Sequence, residues 1–348
     1  MKQVSLGVKL FVSFLVIGAL PFLAIAISSI TQSTDALKQQ AFNQLDAVRE
    51  LKADQVESYF QTIRDQVLTL SENRQTIQAM KEFKAAFHNF DVDQVSSAEQ
   101  EHRASTLKNY YRRDFLPRLN RNQASQNSIN NYLPQDPQSR ALQSLYISKN
   151  PNPIGEKHRL VDAGDGSPYS KTHSNYHPIF RSYLEKFGFY DLFLVDPETG
   201  HIVYSVYKEV DYATSLLSGP YNASNFAEVF KDAKSARDKD FVKLMDFKAY
   251  APSYNASASF IASPIYDGEK MLGILIFQMP LDKINAVMTS NQLWRQIGLG
   301  ESGETYLIGG DYMLRSQSRF FIEDPAGYLE LMRTVGMSAV EVQKIKNL

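Results

Sequence analysis

The chain has 348 residues, room for a membrane segment and two ordinary domains. Its 43% hydrophobic content, with 21 Phe and 19 Tyr, supplies a substantial core. Lys plus Arg (37) nearly balance Asp plus Glu (38), so the net charge is −1 and no global basic field points to nucleic acid. The chain has no cysteine, which excludes disulfides, thiol nucleophiles and thiolate metal sites together.

The first element is an uncharged run of 25 residues, Leu10–Thr34, with Lys2 and Lys9 ahead of it and no acidic residue before Asp35. About 20 apolar residues cross a hydrocarbon core as a helix, the form that satisfies its own backbone there. The flanking lysines favour a cytoplasmic N-terminus and export of the rest of the chain. A cleaved signal peptide is the rival reading, since Ala24-Ile25-Ala26 offers a small-x-small site. The run exceeds the roughly 7–15 apolar residues of a signal sequence, so a retained anchor in a bacterial cell membrane is expected. Either reading exports residues 35–348.

Apolar residues then recur at Leu37, Ala41, Leu45, Val48, Val56, Tyr59, Ile63, Val67, Leu70, Ile77 and Met80, on one helical face. This predicts a long amphipathic helix leaving the membrane directly. Its near-membrane half reads as a stalk or homodimer seam, its distal half as packed on its own domain. A second helix is predicted over Ala98–Phe115, closing before Pro117. Residues 120–132, rich in Asn and Gln, read as a surface loop, and residues 150–168, rich in turn residues, as irregular. Helical character returns over Tyr169–Phe187, with Gly188 as its stop.

From there the period changes. Phe189–Val195, the turn DPETG and His201–Tyr207 make one hairpin. Ala258–Tyr266, the turn Asp267–Lys270 and Met271–Met279 make another, and Pro264 inside it predicts an edge position or a bulge. Between them lie a short helix, Asn225–Ala236, and one more strand, Phe241–Phe247; a further helix starts at Leu281. Helices leading into four or five antiparallel strands define an α+β fold. After Gly298, a strand Thr305–Ile308, a turn Gly309–Asp311 and a strand Tyr312–Ser316 faintly echo FLVDPETGHIVYS (193–205).

A membrane helix, a long exported helix, FLVDPETGHIVYS, then FIASPIYDGEKMLGILIFQMPLDKINAVM and GLGESGETYLIGGDYMLRSQSRF together resemble the sensory half of a bacterial methyl-accepting chemotaxis protein with a double Cache ectodomain. The likeness runs from Met1 to about Phe321. It implies an N-terminal membrane helix (1–34), a helical stalk region (35–130), a PAS-like membrane-distal Cache module (131–297) and the beginning of a membrane-proximal one (298–348). It also implies a small-molecule ligand, no cofactor, and coupling to a cytoplasmic kinase through parts that would come after Leu348. No second apolar run of 18 residues is present, so the chain is expected to be the N-terminal part of such a receptor. A Cache sensor of a histidine kinase or nucleotide cyclase, or an anchored binding protein without output, fits the same residues.

No Gly-x-Ser-x-Gly elbow and no phosphate-cradling glycine loop occurs, so the chain is read as a non-enzyme. His173 and His177, four apart near His158, Asp162 and Asp165, have zinc-like spacing but lack the intervening base. They are read as capping or surface histidines at a polar helix start, with no metal. Ligand pockets are mostly apolar or aromatic with a few placed polar groups. Tyr183, Tyr190, Asp191, Asp246, Tyr250, Tyr254 and Tyr266 gather around the predicted sheet, where the resemblance places a ligand between sheet, helix and loop. Arg181 joins them as a candidate bidentate partner for a ligand carboxylate.

Overall fold

The computed structural model describes residues 5–121 and 127–346. Helix α1 runs from Leu6 to Ser71, 66 residues or about 100 Å, with Ser5 as N-cap and Pro21 inside it. Over the apolar stretch none of it is buried, and Phe11, Val12, Phe14, Ile17 and Leu20 are exposed on all sides of the helix. A helix apolar on every side and uncovered by protein suits lipid, so α1 has the length and composition to cross a membrane. Further along, Leu37, Phe42, Leu45 and Leu51 remain exposed, and burial begins in earnest at Ile63 and Val67.

The periodicity predicts one helix through Met80; two are found. α1 stops at Ser71 and α2 covers Arg74–His88, because the Asn73 side chain accepts a hydrogen bond from Gln75 N at 2.8 Å and restarts the helix. The break re-aims Ala79, Met80, Phe83 and Phe87 into the core. The helix predicted to close before Pro117 instead passes through it. After α3 (Ser97–Tyr110) the chain widens into a π-helical turn, Tyr111–Phe115, and continues as α4 (Leu116–Asn120) with Pro117 in its first turn. Proline is tolerated there because its missing N–H has no obligatory partner. The predicted loop 120–132 lies partly outside the described residues; Ile129–Asn131 form a single 3-10 turn. α5 (Pro137–Gln143) runs into a second π turn, Ser144–Ser148, and residues 150–167 are irregular apart from a short turn at Lys157–Arg159.

α6 spans Pro168–Phe187, capped by Ser167 and ended by Gly188 at φ 74°, as its sequence predicts. The sheet has five antiparallel strands: β1 (Asp191–Val195), β2 (Ile202–Ser205), β3 (Lys243–Tyr250), β4 (Ala256–Asp267) and β5 (Lys270–Gln278), in the order β2-β1-β5-β4-β3. α7 (Asn225–Ser235) connects β2 to β3. β3 pairs with β4 only as far as Ala262, so Pro264 lies where β4 has lost one neighbour, next to a register shift at Ile265/Tyr266.

Both faces of the sheet are covered. Leu192, Leu194, Val203, Ile261, Leu275 and Phe277 pack under α1, α2 and α6. Phe193, Val195, Ile202, Phe260, Ala262 and Ile276 pack under α7, with Phe226 and Phe260 stacked at 4.5 Å. This explains the strand pattern. β1 is buried at every position, so it reads as a continuous apolar run rather than an alternation.

α8 (Leu281–Thr289) returns along α1, where buried Lys52 donates to Val287 O and to Ser290 Oγ at the C-terminal end of α8. Gln44 also donates to Gly298 O at 2.6 Å. The hairpin predicted over 305–316 forms its turn, with Gly309 N to Met313 O at 2.9 Å and Arg315 N to Leu307 O at 2.7 Å. It makes a single bridge, Ile308 to Leu314, and no strands, since no further strand lies beside it among the described residues. α9 (Arg319–Glu323), α10 (Pro325–Thr334) and α11 (Ala339–Lys346) complete the described chain.

Helix α2 packs tightly on the sheet at Gly273 of β5, where an added Cβ would stand 2.3 Å from Met80 Sδ. Gly273→Ala should therefore destabilise the full chain by about 1–3 kcal/mol, the ordinary cost of overpacking. In a Met80→Ala background, which removes the obstructing side chain, the same change should cost much less. Denaturant unfolding of the four proteins in detergent checks this; equal costs in both backgrounds would refute the contact.

Candidate functional site

A polar chamber lies at the end of the sheet on the α7 side. Asp191 opens β1 and faces Gln278, the last residue of β5, in the strand register. Cross-strand partners share a face, so both side chains leave the apolar layer together where β1 and β5 end. The Asp191 carboxylate is fully buried. Its Oδ1 accepts from Leu192 N (2.7 Å), Val206 N (3.0 Å) and Tyr207 N (3.1 Å), tying β1 to the segment that leaves β2. Its Oδ2 has no partner.

That segment, Tyr207-Lys-Glu-Val-Asp211, supplies the rest. Asp211 is buried, with Oδ2 accepting from Tyr250 OH at 2.6 Å and Oδ1 unpaired. Glu209, partly exposed, accepts from Tyr190 OH at 2.9 Å and from Ser253 Oγ at 3.0 Å. Ser253 in turn accepts from Gln278 Nε2 at 3.2 Å, leaving Gln278 Oε1 unpaired. Lys208 is buried with a left-handed backbone, φ 60°. Its ammonium donates to Ser205 O and Val206 O and sits over the rings of Tyr204 (4.8 Å), Tyr212 (5.5 Å) and Tyr146 (5.8 Å).

Burial pushes the carboxyls up: Asp191 upward with repulsion from Asp211 adding to it, Glu209 upward by burial and by the same neighbour, and Asp211 up to about 6. Burial drives Lys208 downward, against the attraction of Asp191. The Lys208 ammonium thus stands by the buried carboxyl of Asp191, with the buried Asp211 and the half-buried Glu209 close to that carboxyl. A cavity of about 20 Å³, room for one small polar group, touches Glu209, Lys208, Tyr207, Tyr254, Tyr110 and Lys157.

Of the residues singled out in the sequence, the structure brings four together here: Tyr190, Asp191, Tyr250 and Tyr254. The other four lie elsewhere. Arg181 pairs with Glu185 on the outer side of α6 (2.7 Å), and Tyr183 donates to Gln66 O of α1 at 3.2 Å. Asp246 on β3 is held by the Arg315 guanidinium through two bonds, at 2.8 and 2.7 Å. Tyr266 donates to Ala236 O at 3.3 Å beyond the end of α7. Lys208, Glu209, Asp211, Ser253 and Gln278 were not singled out. The charged run KEVD, set between apolar strands and a buried aromatic segment, was the available signal.

The two histidines need a correction. His173 and His177 are fully buried, stacked at 4.3 Å, and neither surface nor capping residues. The irregular segment folds over α6 and brings its carbonyls to them: Val161 O to His173 Nδ1 at 2.6 Å and His158 O to His177 Nε2 at 2.6 Å. His177 Nδ1 meets Tyr204 OH at 2.8 Å. Burial and the nearby Lys208 keep both rings neutral, with His177 held down to about 2. Among the described residues no group of three His, Asp or Glu is placed to hold a metal.

The fold defines an α+β protein with one helix able to span a membrane and a buried polar chamber at the end of a five-stranded antiparallel sheet. No protein-family model matches the chain, and neither does any curated protein.

Asp211 gives a test by pH. Folded, it keeps its proton up to about pH 6; unfolded, it releases it near 3.8, so stability falls as pH rises across that window. Asp211→Asn, which keeps an acceptor for Tyr250, should flatten this fall by on the order of 1–3 kcal/mol between pH 4 and about 6.5. Thermal or denaturant unfolding of both proteins across that range measures it, and parallel pH profiles would contradict the buried, unpaired state of the carboxyl.

Proposed function

We propose that the chain is the sensory part of a transmembrane chemoreceptor of the double Cache kind. Its sheet module binds a small exported-side molecule and passes a conformational signal along α1 to the membrane. The observation that carries this reading is the continuity of α1. One helix of 66 residues joins the apolar segment to Ile63 and Val67 in the core under the sheet. No break in the helix separates the two ends until Glu72, so a shift of the core face against α1 is transmitted as a shift of the rod.

A ligand signals only through unequal affinity for two states of the protein. The chamber suits such a role because hydrogen bonds from Asp191, Gln278, Ser253 and Glu209 link β1, β5, the segment after β2 and the β3–β4 connection. The five-stranded antiparallel sheet supports a PAS-like Cache module, and Gly298 onward supports the start of a second one docked through Arg315 on Asp246. The exposed apolar residues Leu37, Ala41, Leu45 and Leu51 fall on one side of α1 and support pairing of two copies along the stalk.

The absence of native cysteine makes that pairing directly testable. In full-length protein in lipid nanodiscs or membranes, Leu37→Cys and Leu45→Cys should cross-link between copies on mild oxidation. Gln39→Cys, on another face and bonded to Asn43 at 2.9 Å, should cross-link poorly. A metabolite that the chamber binds should change the cross-linking rates at 37 and 45. Rates equal at all three positions would remove the seam, and rates untouched by a bound ligand would remove transmission through α1.

A further inference from the structure

We propose that α8 is a latched arm: Lys52 of α1 holds it in a strained position, and on release the arm turns at Ser290–Gln292 and closes onto α1, bringing Lys283 to Asp54. The device stands on its own geometry; its use as a signal rests on the sensory reading above.

The strain lies in one short segment. Ser290, Asn291 and Gln292 follow α8 with left-handed backbones at φ 50°, 54° and 67°. A side chain with a Cβ is strained in that conformation, which glycine adopts freely. One left-handed residue commonly ends a helix, but three in succession without a glycine persist only where the surroundings over-determine them.

The surroundings that hold them are on α1. Lys52 is the first buried residue along that helix. Its ammonium donates to Val287 O and Ser290 Oγ, at the C-terminal end of α8, where the helix dipole favours a cation. It has no carboxylate partner among the described residues. The contact therefore fixes the arm at a desolvation cost that its release returns. Gln44, about two turns nearer the membrane, adds a second tie by donating to Gly298 O at 2.6 Å. The strained segment is thus gripped by α1 on both sides.

Space for a second position is present. A groove of about 610 Å³ separates the two helices, with Asp54, Gln55, Ser58 and Tyr59 on the α1 wall and Lys283 and Ala286 on the α8 wall. Lys52 bridges it at the end of α8. Asp54 and Lys283 carry opposite charges on the two walls, and neither has a hydrogen-bond or ion-pair partner. Closing the groove would pair them. The other end of α8 is free to tilt as well, since its first turn begins at Pro280 with no side-chain cap. The arm does not move alone: Thr305 Oγ1 donates to Met288 O, and Gln317 N donates to Asn285 Oδ1 at 2.8 Å. Only Met279 and Pro280 separate α8 from the end of β5. A shift there would reach α1 at Lys52 and the hairpin over 305–316 together.

The chain has no native cysteine, so disulfide trapping reads closure directly. In full-length protein in lipid nanodiscs, Gln55→Cys with Ala286→Cys should bridge within one chain on mild oxidation, read by mass spectrometry of the joined peptides. Ala53→Cys with Ala286→Cys is the control, because at about 100° per residue Ala53 lies on the side of α1 away from the groove. Lys52→Met keeps the stem and removes the bonds, and should speed the 55–286 bridge about tenfold or more. Lys283→Gln should slow it several-fold. Asn291→Gly with Gln292→Gly relieves the strain of the present position and should slow it about fivefold or more. Should Lys52→Met fail to fold, the glycine pair, which only eases the native backbone, carries the test. A 55–286 bridge no faster than the 53–286 bridge overturns the proposal, as does a rate indifferent to both the lysine and the glycine substitutions. Closure of this kind, with Lys52→Met leaving cross-linking between copies at Leu37→Cys unchanged, keeps the latch and removes its part in the sensory reading. Cross-linking at Leu37→Cys and Leu45→Cys above that at Gln39→Cys, without a 55–286 bridge, keeps the paired stalk and removes the latch.

Discussion

The five-stranded sheet buries both faces of β1, β2 and β5, and most of the architecture results from covering them. A strand buried at every position needs a helical layer above and another below. α7, coming from the crossover between β2 and β3, covers one face. The other needs more than one helix can give, and it is met by the end of α1, by α2 and by α6. The break at Glu72–Asn73 belongs to this requirement. A straight continuation of α1 would carry Met80, Phe83 and Phe87 past the sheet, whereas the restart at Arg74 lays them on it, close enough at Gly273 that no Cβ fits between.

Covering both faces leaves the strand ends as the place for polar groups. Asp191 and Gln278 lie at the end of β1 and β5, beyond the last apolar layer, and the segment after β2 has nowhere to go but across them. Its backbone amides at Val206 and Tyr207 are satisfied by the Asp191 carboxylate, which fixes Lys208, Glu209 and Asp211 in place. The same contact that closes the fold therefore assembles the acidic chamber. A hydrocarbon residue at 191 would leave the Tyr207 amide unpaired, while Val206 N would keep only its bond to Leu192 O, so the carboxylate serves the fold with one oxygen and leaves the other free.

Local sequence carried much of the fold. Ser167 and Gly188 bound α6, the turns DPETG and DGEK set the two hairpins, and the charge-free run gave the apolar half of α1. What sequence periodicity missed was decided by competition at single residues: the side chain of Asn73 against a continuing helix, and the π turn at Tyr111–Phe115 that let Pro117 pass. The hairpin at 305–316 had strand-like residues but no neighbouring strand to pair with. The chamber was half legible. Tyr190, Asp191, Tyr250 and Tyr254 flank strands and so drew notice, but Gln278 read as the polar end of an apolar strand. Lys208 and Asp211 drew no notice, because nothing local shows that Tyr146, Tyr204 and Tyr212 close over the lysine or that Tyr250 bonds the aspartate.

The histidines show the same limit from the other side. Four-residue spacing put His173 and His177 on one face of α6, and that face is the inner one. Neutral imidazoles there each need a hydrogen-bond partner, and the partners are the carbonyls of His158 and Val161. Those come from a segment whose only local signature is turn-forming residues. Folding that segment over α6 also places Lys157 beside the cavity and Tyr110. The irregular stretch 150–167 is thus the lid of the aromatic core on one side and part of the chamber wall on the other. Movement of the chamber wall on ligand binding would accordingly reach the core face of α2 through Phe83, whose ring lies 6.4 Å from His173 and 4.6 Å from Tyr204, and so the end of α1.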